Sequence, residues 1–435
     1  MADTIYALST GIGRAGVAVV RVSGPAVPDV LRRMVGQGVH PRTAHLANIK
    51  HPSSDEILDK GLVLLFAQPA SFTGEDVAEF HIHGGRAVIA AVLESLSSLK
   101  NVRAAEPGEF TRRAFANGKL DLTSVEGLAD LIAADTELQR RHAIRHFSGA
   151  GSEVALAWRK SLVEIQALIE AHLDFPDEGE IPSDIVEDVQ NEIVSLIESF
   201  ESHLLLRNRA EIVRDGFVVL IAGPPNSGKS SLLNRIASRD VAIISEIPGT
   251  TRDLIEITID LRGIPVTFVD SAGLRETTDP IEMQGMARTR SRAEHAHLVL
   301  WLTPANEPFI RPEIAHDQLC VIFTKRDLGQ PEAGVRSISA LTGAGVPELL
   351  ELVYETLAPS LEELKPSAFA NRRQYECVDL ALATLKRSFN LLSHRNLELV
   401  AEELRHASMR LQEVTGVITN EQLLDEVFAR FCLGK

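Results

Sequence analysis

Cysteine is nearly missing from this chain. There are three in 435 residues, Cys320, Cys377 and Cys432, too few for a disulfide framework and in keeping with a reducing compartment. No apolar run reaches the roughly 18 residues that a membrane helix needs, so no membrane span is expected. The opening residues, MADTIYALSTGIGRAG, lack the basic-then-apolar layout of a secretory leader, and a cytoplasmic protein is expected. Positive charge is not in excess: 44 basic residues face 60 acidic ones, for a formal net charge of -16. That balance excludes a global basic field for gripping nucleic acid and leaves room only for a local patch or a gripping partner. Internal repeats and low-complexity tracts are absent too. What is present, 45 % hydrophobic and 24 % charged residues, is ordinary for a folded protein and excludes a largely disordered one. The length suggests about three domains.

Three textures follow one another. Residues 1–118 mix short β-rich runs with helical stretches. Gly16–Val22, Gly61–Ala67 and Val77–His83 read as strands and Ala87–Leu99 as a helix, an α+β unit. Residues 119–210 carry apolar residues at helical spacing, over Val154–Leu173 and Ile185–Arg209, and so do residues 366–435. Between them, 211–365 alternates strands (Phe217–Ala222, Leu254–Asp260, Pro265–Asp270, Leu298–Leu302, Leu319–Thr324) with helices (Lys229–Ala237, Val346–Leu357). This alternation predicts a mostly parallel sheet with helices on both faces, inserted into a helical domain.

The chemistry begins at Gly223-Pro-Pro-Asn-Ser-Gly228-Lys229-Ser230. This is a phosphate-binding loop that follows a strand and opens a helix. Backbone N–H groups cradle phosphates there, Lys229 reaches the β and γ oxygens, and Ser230 offers a hydroxyl to magnesium. Asp270-Ser-Ala-Gly273 ends a strand, with an aspartate for magnesium and a backbone N–H for the γ-phosphate. Thr324-Lys325-Arg-Asp327 ends another. A carboxylate there accepts both the N1–H and the exocyclic amino group of guanine, which selects GTP over ATP. Ser339-Ala340 can place a backbone N–H on the guanine oxygen. Many GTPases orient the attacking water with a glutamine after the glycine; Leu274 cannot do this. Thr250, Thr251, Arg252, Asp253, Arg275, Glu276 and Glu282 are candidates for that task, and their spacing does not choose among them.

Several segments together resemble one family. They are Gly249-Thr-Thr-Arg-Asp253, Asp270-Ser-Ala-Gly-Leu-Arg-Glu276, Thr4-Ile-Tyr-Ala, Arg21-Val-Ser-Gly24, Gly74-Glu-Asp-Val77, His83-Gly-Gly85, Pro107-Gly-Glu-Phe-Thr-Arg112, Lys119-Leu-Asp-Leu122 and the terminal Phe431-Cys-Leu-Gly-Lys435. The chain is similar over its whole length to the MnmE (TrmE) family of tRNA modification GTPases. The resemblance implies a multidomain α/β protein: an α+β folate-binding N-terminal domain, an α-helical domain, and an inserted Ras-like P-loop G domain. It implies a homodimer formed through the N-terminal domain. A flavin-containing partner of the MnmG/GidA type joins it to modify carbon 5 of the wobble uridine of certain tRNAs with a carboxymethylaminomethyl-type group. Potassium accelerates the GTP hydrolysis.

The resemblance also assigns residues. Gly223, Asn226, Ser227, Gly228, Lys229, Ser230 and Ser231 fall on the nucleotide loop. Asn226, Ser245, Ile247 and Thr250 match the potassium shell, and Thr251 joins Ser230 on magnesium. Glu282 matches a water-orienting glutamate that fills the gap at Leu274. Arg21, Glu79, Lys119 and the terminal Lys435 match a site for 5-formyltetrahydrofolate or a related tetrahydrofolate. Glu79 suits the pterin, and Arg21 or Lys119 the glutamate tail. Cys432 is either a reactive thiol beside that site or a partly buried tail cysteine. Three positions depart from the family pattern: Thr324 for asparagine, Ser227 for alanine or valine, and Leu433 for isoleucine. A regulatory GTPase switch in ribosome assembly would share the G-domain motifs but not the N-terminal unit or the Cys-Leu-Gly-Lys tail.

Overall fold

A computed structural model describes residues 3–11, 13–36, 38–174, 183–238, 242–243, 256–270, 293–312, 314–329, 335–360, 367–394, 396–418, 421–429, 431 and 434. Two compact units account for the chain. One takes residues 1–129, 147–178 and 397–435, the other 130–146 and 179–396. Among the described residues no helix is long and apolar enough to cross a membrane.

The first unit is built on a six-stranded sheet. In chain order its strands are β1 (Thr4–Leu8), β2 (Ala15–Ser23), β3 (His45–Lys50), β4 (Ile57–Phe66), β5 (Val77–Gly84) and β6 (Val102–Ala104). Their order across the sheet is β3-β4-β5-β2-β1-β6. Only β1 and β6 run parallel. Alternation along β2 sorts its side chains by face. Ala18, Val20 and Val22 join Phe80, Ile82 and Val63 in a core covered by the helices Val27–Met34 and Arg86–Ser97. Val19 and Arg21 point the other way, where Ile5, Ala7, Ala105, Phe110 and Phe72 cover one end of the sheet. At the other end of that face Leu46 is 66 % and Leu62 is 42 % exposed. The register places Leu46 beside Leu62, Leu62 beside His81, and His81 beside Val19. The helices Ala150–Asp174 and Leu397–Thr415 pack against each other in this unit.

The second unit holds the other six-stranded sheet: β7 (Phe217–Ala222), β8 (Ala242–Ile243), β9 (Glu256–Leu261), β10 (Ile264–Asp270), β11 (Leu298–Pro304) and β12 (Leu319–Thr324). The order is β12-β11-β7-β10-β9-β8. The first four are parallel, and β9 and β8 are antiparallel to their neighbours. Strands β7 and β11 are apolar almost throughout because both faces are covered. Phe217, Val219, Ile221, Leu298, Leu300 and Leu302 face one core, and Leu220, Ala222, Val299 and Trp301 the other.

The stretch Ile185–Arg209, with its apolar residues at helical spacing, falls on two helices, Ser183–Leu204 and Arg207–Asp215. Apolar spacing continues through the break and so conceals it. The last turn tightens as the Leu206 N–H bonds the His203 carbonyl. Arg207 then opens the second helix and pairs with Glu211 and with Asp379.

Candidate functional site

Strand β7 leads directly into the phosphate-binding loop, and the helix Lys229–Ala237 begins at its end. Gly223 sits at φ 148°, and a Cβ there would collide with the Leu302 carbonyl oxygen, so only glycine lets the loop cross β11 so closely. The helix N-terminus has no side-chain cap, which leaves its first N–H groups to an anion. Lys229 is 7 % exposed. Its Nζ donates to the carbonyls of Gly223 (3.0 Å) and Pro224 (2.9 Å). Burial pushes its pKa down, and the Asp270 carboxylate opposes that shift. The loop thus holds its own cation on its own carbonyls. Ser230 Oγ donates to Asp270 Oδ2 at 3.0 Å. These are two hard oxygen donors from the helix start and the end of β10, a set suited to magnesium. Asn226 stands on the loop at φ 62° with an exposed side chain, and Ser231 follows, also exposed.

At the end of β12, Thr324 is buried and its Oγ1 donates to the Ser227 carbonyl at 2.6 Å. Lys325 takes a left-handed backbone, φ 56°, and its Nζ lies 3.5 Å from Glu307. Asp327 Oδ1 accepts from Ser339 Oγ at 2.5 Å. Ser339 Oγ in turn accepts the Thr342 N–H at 3.2 Å. The loop that carries Ala340 is thereby tied to the Asp327 carboxylate. The spacing of motifs gave Ser339 only a backbone role; its hydroxyl also orients Asp327.

The structure brings together Gly223, Asn226, Ser227, Gly228, Lys229, Ser230, Ser231 and Asp270 at one end, and Thr324, Lys325, Asp327, Ser339 and Ala340 at the other. Ser245, Ile247, Thr250, Thr251, Arg252, Asp253, Gly273, Leu274, Arg275, Glu276, Glu282, Cys432 and Lys435 lie outside the described residues.

The first unit carries a second constellation. Arg21 and Glu79 are direct partners across β2 and β5. Arg21 Nε and Nη2 both donate to Glu79 Oε1, at 3.0 and 2.9 Å. Arg21 also lies near the rings of Phe72 (5.4 Å) and Phe110 (5.8 Å), which favour a cation. Glu79 Oε2 faces His81 Nε2 at 3.4 Å. Phe72 is held there by its own loop. Thr73 Oγ1 meets Ser23 Oγ at 2.8 Å, Ser23 donates to Glu75 at 2.7 Å, and Asn117 Nδ2 donates to the Thr73 carbonyl at 2.7 Å. The Lys119 stem packs over Gly74 of the same loop. The C-terminal end reaches this unit as well. Ser9 Oγ donates to the Gly434 carbonyl at 3.0 Å, and a Cβ at Gly434 would collide with the Leu8 carbonyl oxygen.

A charged network braces the Phe72 loop. Arg113 bonds Glu75, Asp3 and Glu109, and Arg103 bonds Asp3 and Glu109. Burial pushes the Glu109 carboxyl up, but bonds from Arg103, the Glu106 N–H and Arg113 outweigh it and leave the pKa below the ordinary value. Arg103 does the same for Asp3. Carboxyls with depressed folded-state pKa values contribute stability above their unfolded pKa and lose it as pH falls through the folded one. The thermal midpoint should therefore fall as pH drops from about 5 to about 3. Glu109→Gln should lower the midpoint at pH 7 and flatten that acid limb. A melting series for both proteins checks this, and an equally steep limb in the variant would contradict it.

Comparison with known proteins identifies the relatives of this chain. Residues 4–119 match the family described as GTP-binding protein TrmE N-terminus, and residues 122–432 match the MnmE helical domain. The tRNA modification GTPase MnmE of Parvibaculum lavamentivorans is 47 % identical over 439 residues, covering 100 % of both chains. That of Beijerinckia indica is 46 % identical over 440 residues, covering 100 % of this chain and 96 % of its own. That of Sinorhizobium medicae is 45 % identical over 441 residues. With an N-terminal TrmE domain, a helical domain and a GTPase domain in one chain, this protein belongs to the MnmE family of tRNA modification GTPases.

Proposed function

We propose that this GTPase couples GTP hydrolysis in the cytoplasm to modification of carbon 5 of the wobble uridine of certain tRNAs. It acts as a homodimer with a flavin-containing partner of the MnmG/GidA type, and tRNA is engaged through that complex. The observation that carries this reading is the coexistence in one family member of a phosphate loop with its Asp327 base reader and the Arg21–Glu79 site. The net charge of -16 supports a partner that grips the tRNA. Leu46 and Leu62, exposed on the sheet face that also bears Arg21, support a second copy as cover.

In this reading the chain's own groups divide the work. Backbone N–H groups of the loop and Lys229 hold the phosphates, and Asp327 with the Ala340 N–H holds guanine. Ser230, Asp270 and Thr251 would hold magnesium, which supplies positive charge to the phosphate oxygens. Glu282 would orient the attacking water, with Thr250, Arg252, Asp253 and Arg275 around it. Asn226, Ser245, Ile247 and Thr250 would hold potassium, which supplies charge in place of an arginine finger. GTP turnover should then be markedly faster in potassium than in sodium at equal ionic strength, and equal rates would remove the potassium role.

Arg21 and Glu79 fit a tetrahydrofolate. A carboxylate and a guanidinium sit side by side against Phe72 and Phe110, matching a flat polar ring and an anionic tail. Lys119 and Lys435 would complete the site, with Cys432 beside it. Titration calorimetry with 5-formyltetrahydrofolate should show binding to the full chain and at least tenfold weaker binding to Arg21→Ala. Unchanged affinity in the variant would move the site elsewhere.

A further inference from the structure

Thr324 occupies a position where the family pattern has an amide side chain, and the exchange has a chemical consequence. A primary amide carries two N–H donors and an acceptor; a hydroxyl carries a single proton. Thr324 is 3 % exposed. Its Oγ1 lies 2.6 Å from the Ser227 carbonyl and 3.4 Å from the Thr303 carbonyl. The shorter contact is the hydrogen bond. The only proton on this side chain is therefore committed to the phosphate loop.

The adjacent hydroxyls of Ser227 and Thr303 do not take over toward a base, and that of Ser339 is given to Asp327. Ser227 Oγ and Thr303 Oγ1 are buried without a hydrogen-bond partner among the described residues, and both side chains have no solvent exposure. They lie under the loop, not at its surface. Lys325, half-buried, is the donor next in sequence, and its ammonium is directed to Glu307.

Guanine presents two donors on one edge and the acceptors O6 and N7 on the next. On the reading above, Asp327 takes the donors and the Ala340 N–H takes O6. We infer that Thr324 is a positioning residue that ties the base-reading strand to the phosphate loop through Ser227, and that guanine N7 receives no side-chain donor from this position. Base selection then rests on Asp327 and the 339–340 loop. Thr324 acts on the triphosphate end, by keeping the Ser227 carbonyl turned away from the phosphates and its neighbouring N–H groups toward them.

The inference rests on Asp327 as guanine reader, and the test separates the two. Competition binding compares GTP with 7-deaza-GTP, whose N7 is replaced by C–H, on the full chain. Wild type should bind the two within twofold of each other. A neutral hydrogen bond to N7 is worth about 1 kcal/mol, roughly a fivefold difference, so a ratio above twofold in favour of GTP overturns the inference without any variant. Thr324→Val should weaken both nucleotides by the same factor, about tenfold, because the Ser227 carbonyl loses its donor. Thr324→Ser should bind both within twofold of wild type. A valine variant with unchanged affinity, or one weakened for GTP alone, also overturns it. Should the valine protein not fold, the wild-type ratio and the serine variant decide. If Asp327 does not read guanine, Asp327→Asn will fail to prefer xanthosine triphosphate, a result that leaves the 7-deaza ratio readable.

Discussion

Lys229→Ala is expected to lower GTP turnover by about 10²–10³-fold, the range for removing one well-placed donor from a reacting centre. The side chain is nearly buried, and its ammonium bonds two loop carbonyls. On the proposed reading, the same group reaches the β and γ oxygens when phosphates enter. Burial depresses the Lys229 pKa, so the charge is held at a cost to the empty protein. The variant should therefore melt no lower than wild type without nucleotide while failing to turn over GTP, the trade expected of a strained functional group. Single-turnover hydrolysis and a melting curve on the same preparation test both halves. A rate within twofold of wild type, or a matching loss of stability, would assign Lys229 to packing.

Asp327→Asn is expected to weaken GTP binding by about 10³-fold or more, because a site built for a substrate's polar groups rejects one whose groups it leaves unpaired. On the proposed reading the carboxylate offers two acceptors to the N1–H and amino donors of guanine. An asparagine replaces one acceptor with a donor that meets a donor. Xanthosine carries a carbonyl in place of the amino group, and the variant should bind its triphosphate better than GTP. Ser339 holds Asp327 Oδ1 at 2.5 Å, so Ser339→Ala should weaken GTP to a smaller degree without changing base preference. Nucleotide competition across the three proteins reads these effects. Retained GTP preference in Asp327→Asn would detach this residue from guanine.

Much of the nucleotide site is visible in the chain itself because each of its motifs is a short contiguous segment. Phe217–Ala222 and Lys229–Ala237 appear as read, since an apolar run bounded by glycine and a loop of fixed spacing leave few alternatives. The ties between parts are not visible. Thr324 meets Ser227 across 97 residues, and Arg21 meets Glu79 across 58. Only the strand register of β2 and β5 makes that second pair adjacent, and no local pattern contains it. The resemblance named both residues; it did not show them bonded to each other.

A helix with a polar buried face is likewise hidden in the sequence pattern. Glu137–Phe147 buries Ala143 and His146, and His146 Nε2 lies 3.1 Å from His142 Nε2. Burial drops their pKa values to about 3 and about 4, so both are neutral near pH 7. Histidine counted as a polar residue hides this inward face. The Ser183–Leu204 and Arg207–Asp215 pair shows the opposite case, because apolar spacing runs on across a real break.

The coupling of this G domain to tRNA modification is tested most directly by the nucleosides of tRNA. Cells lacking the protein would be complemented with wild type or with Asp327→Asn, and their digested tRNA compared by mass spectrometry. Wild type should restore the carboxymethylaminomethyl-type group at carbon 5 of wobble uridine, and Asp327→Asn should leave that uridine unmodified. Normal modification in cells lacking the protein, or full restoration by Asp327→Asn, would contradict the account.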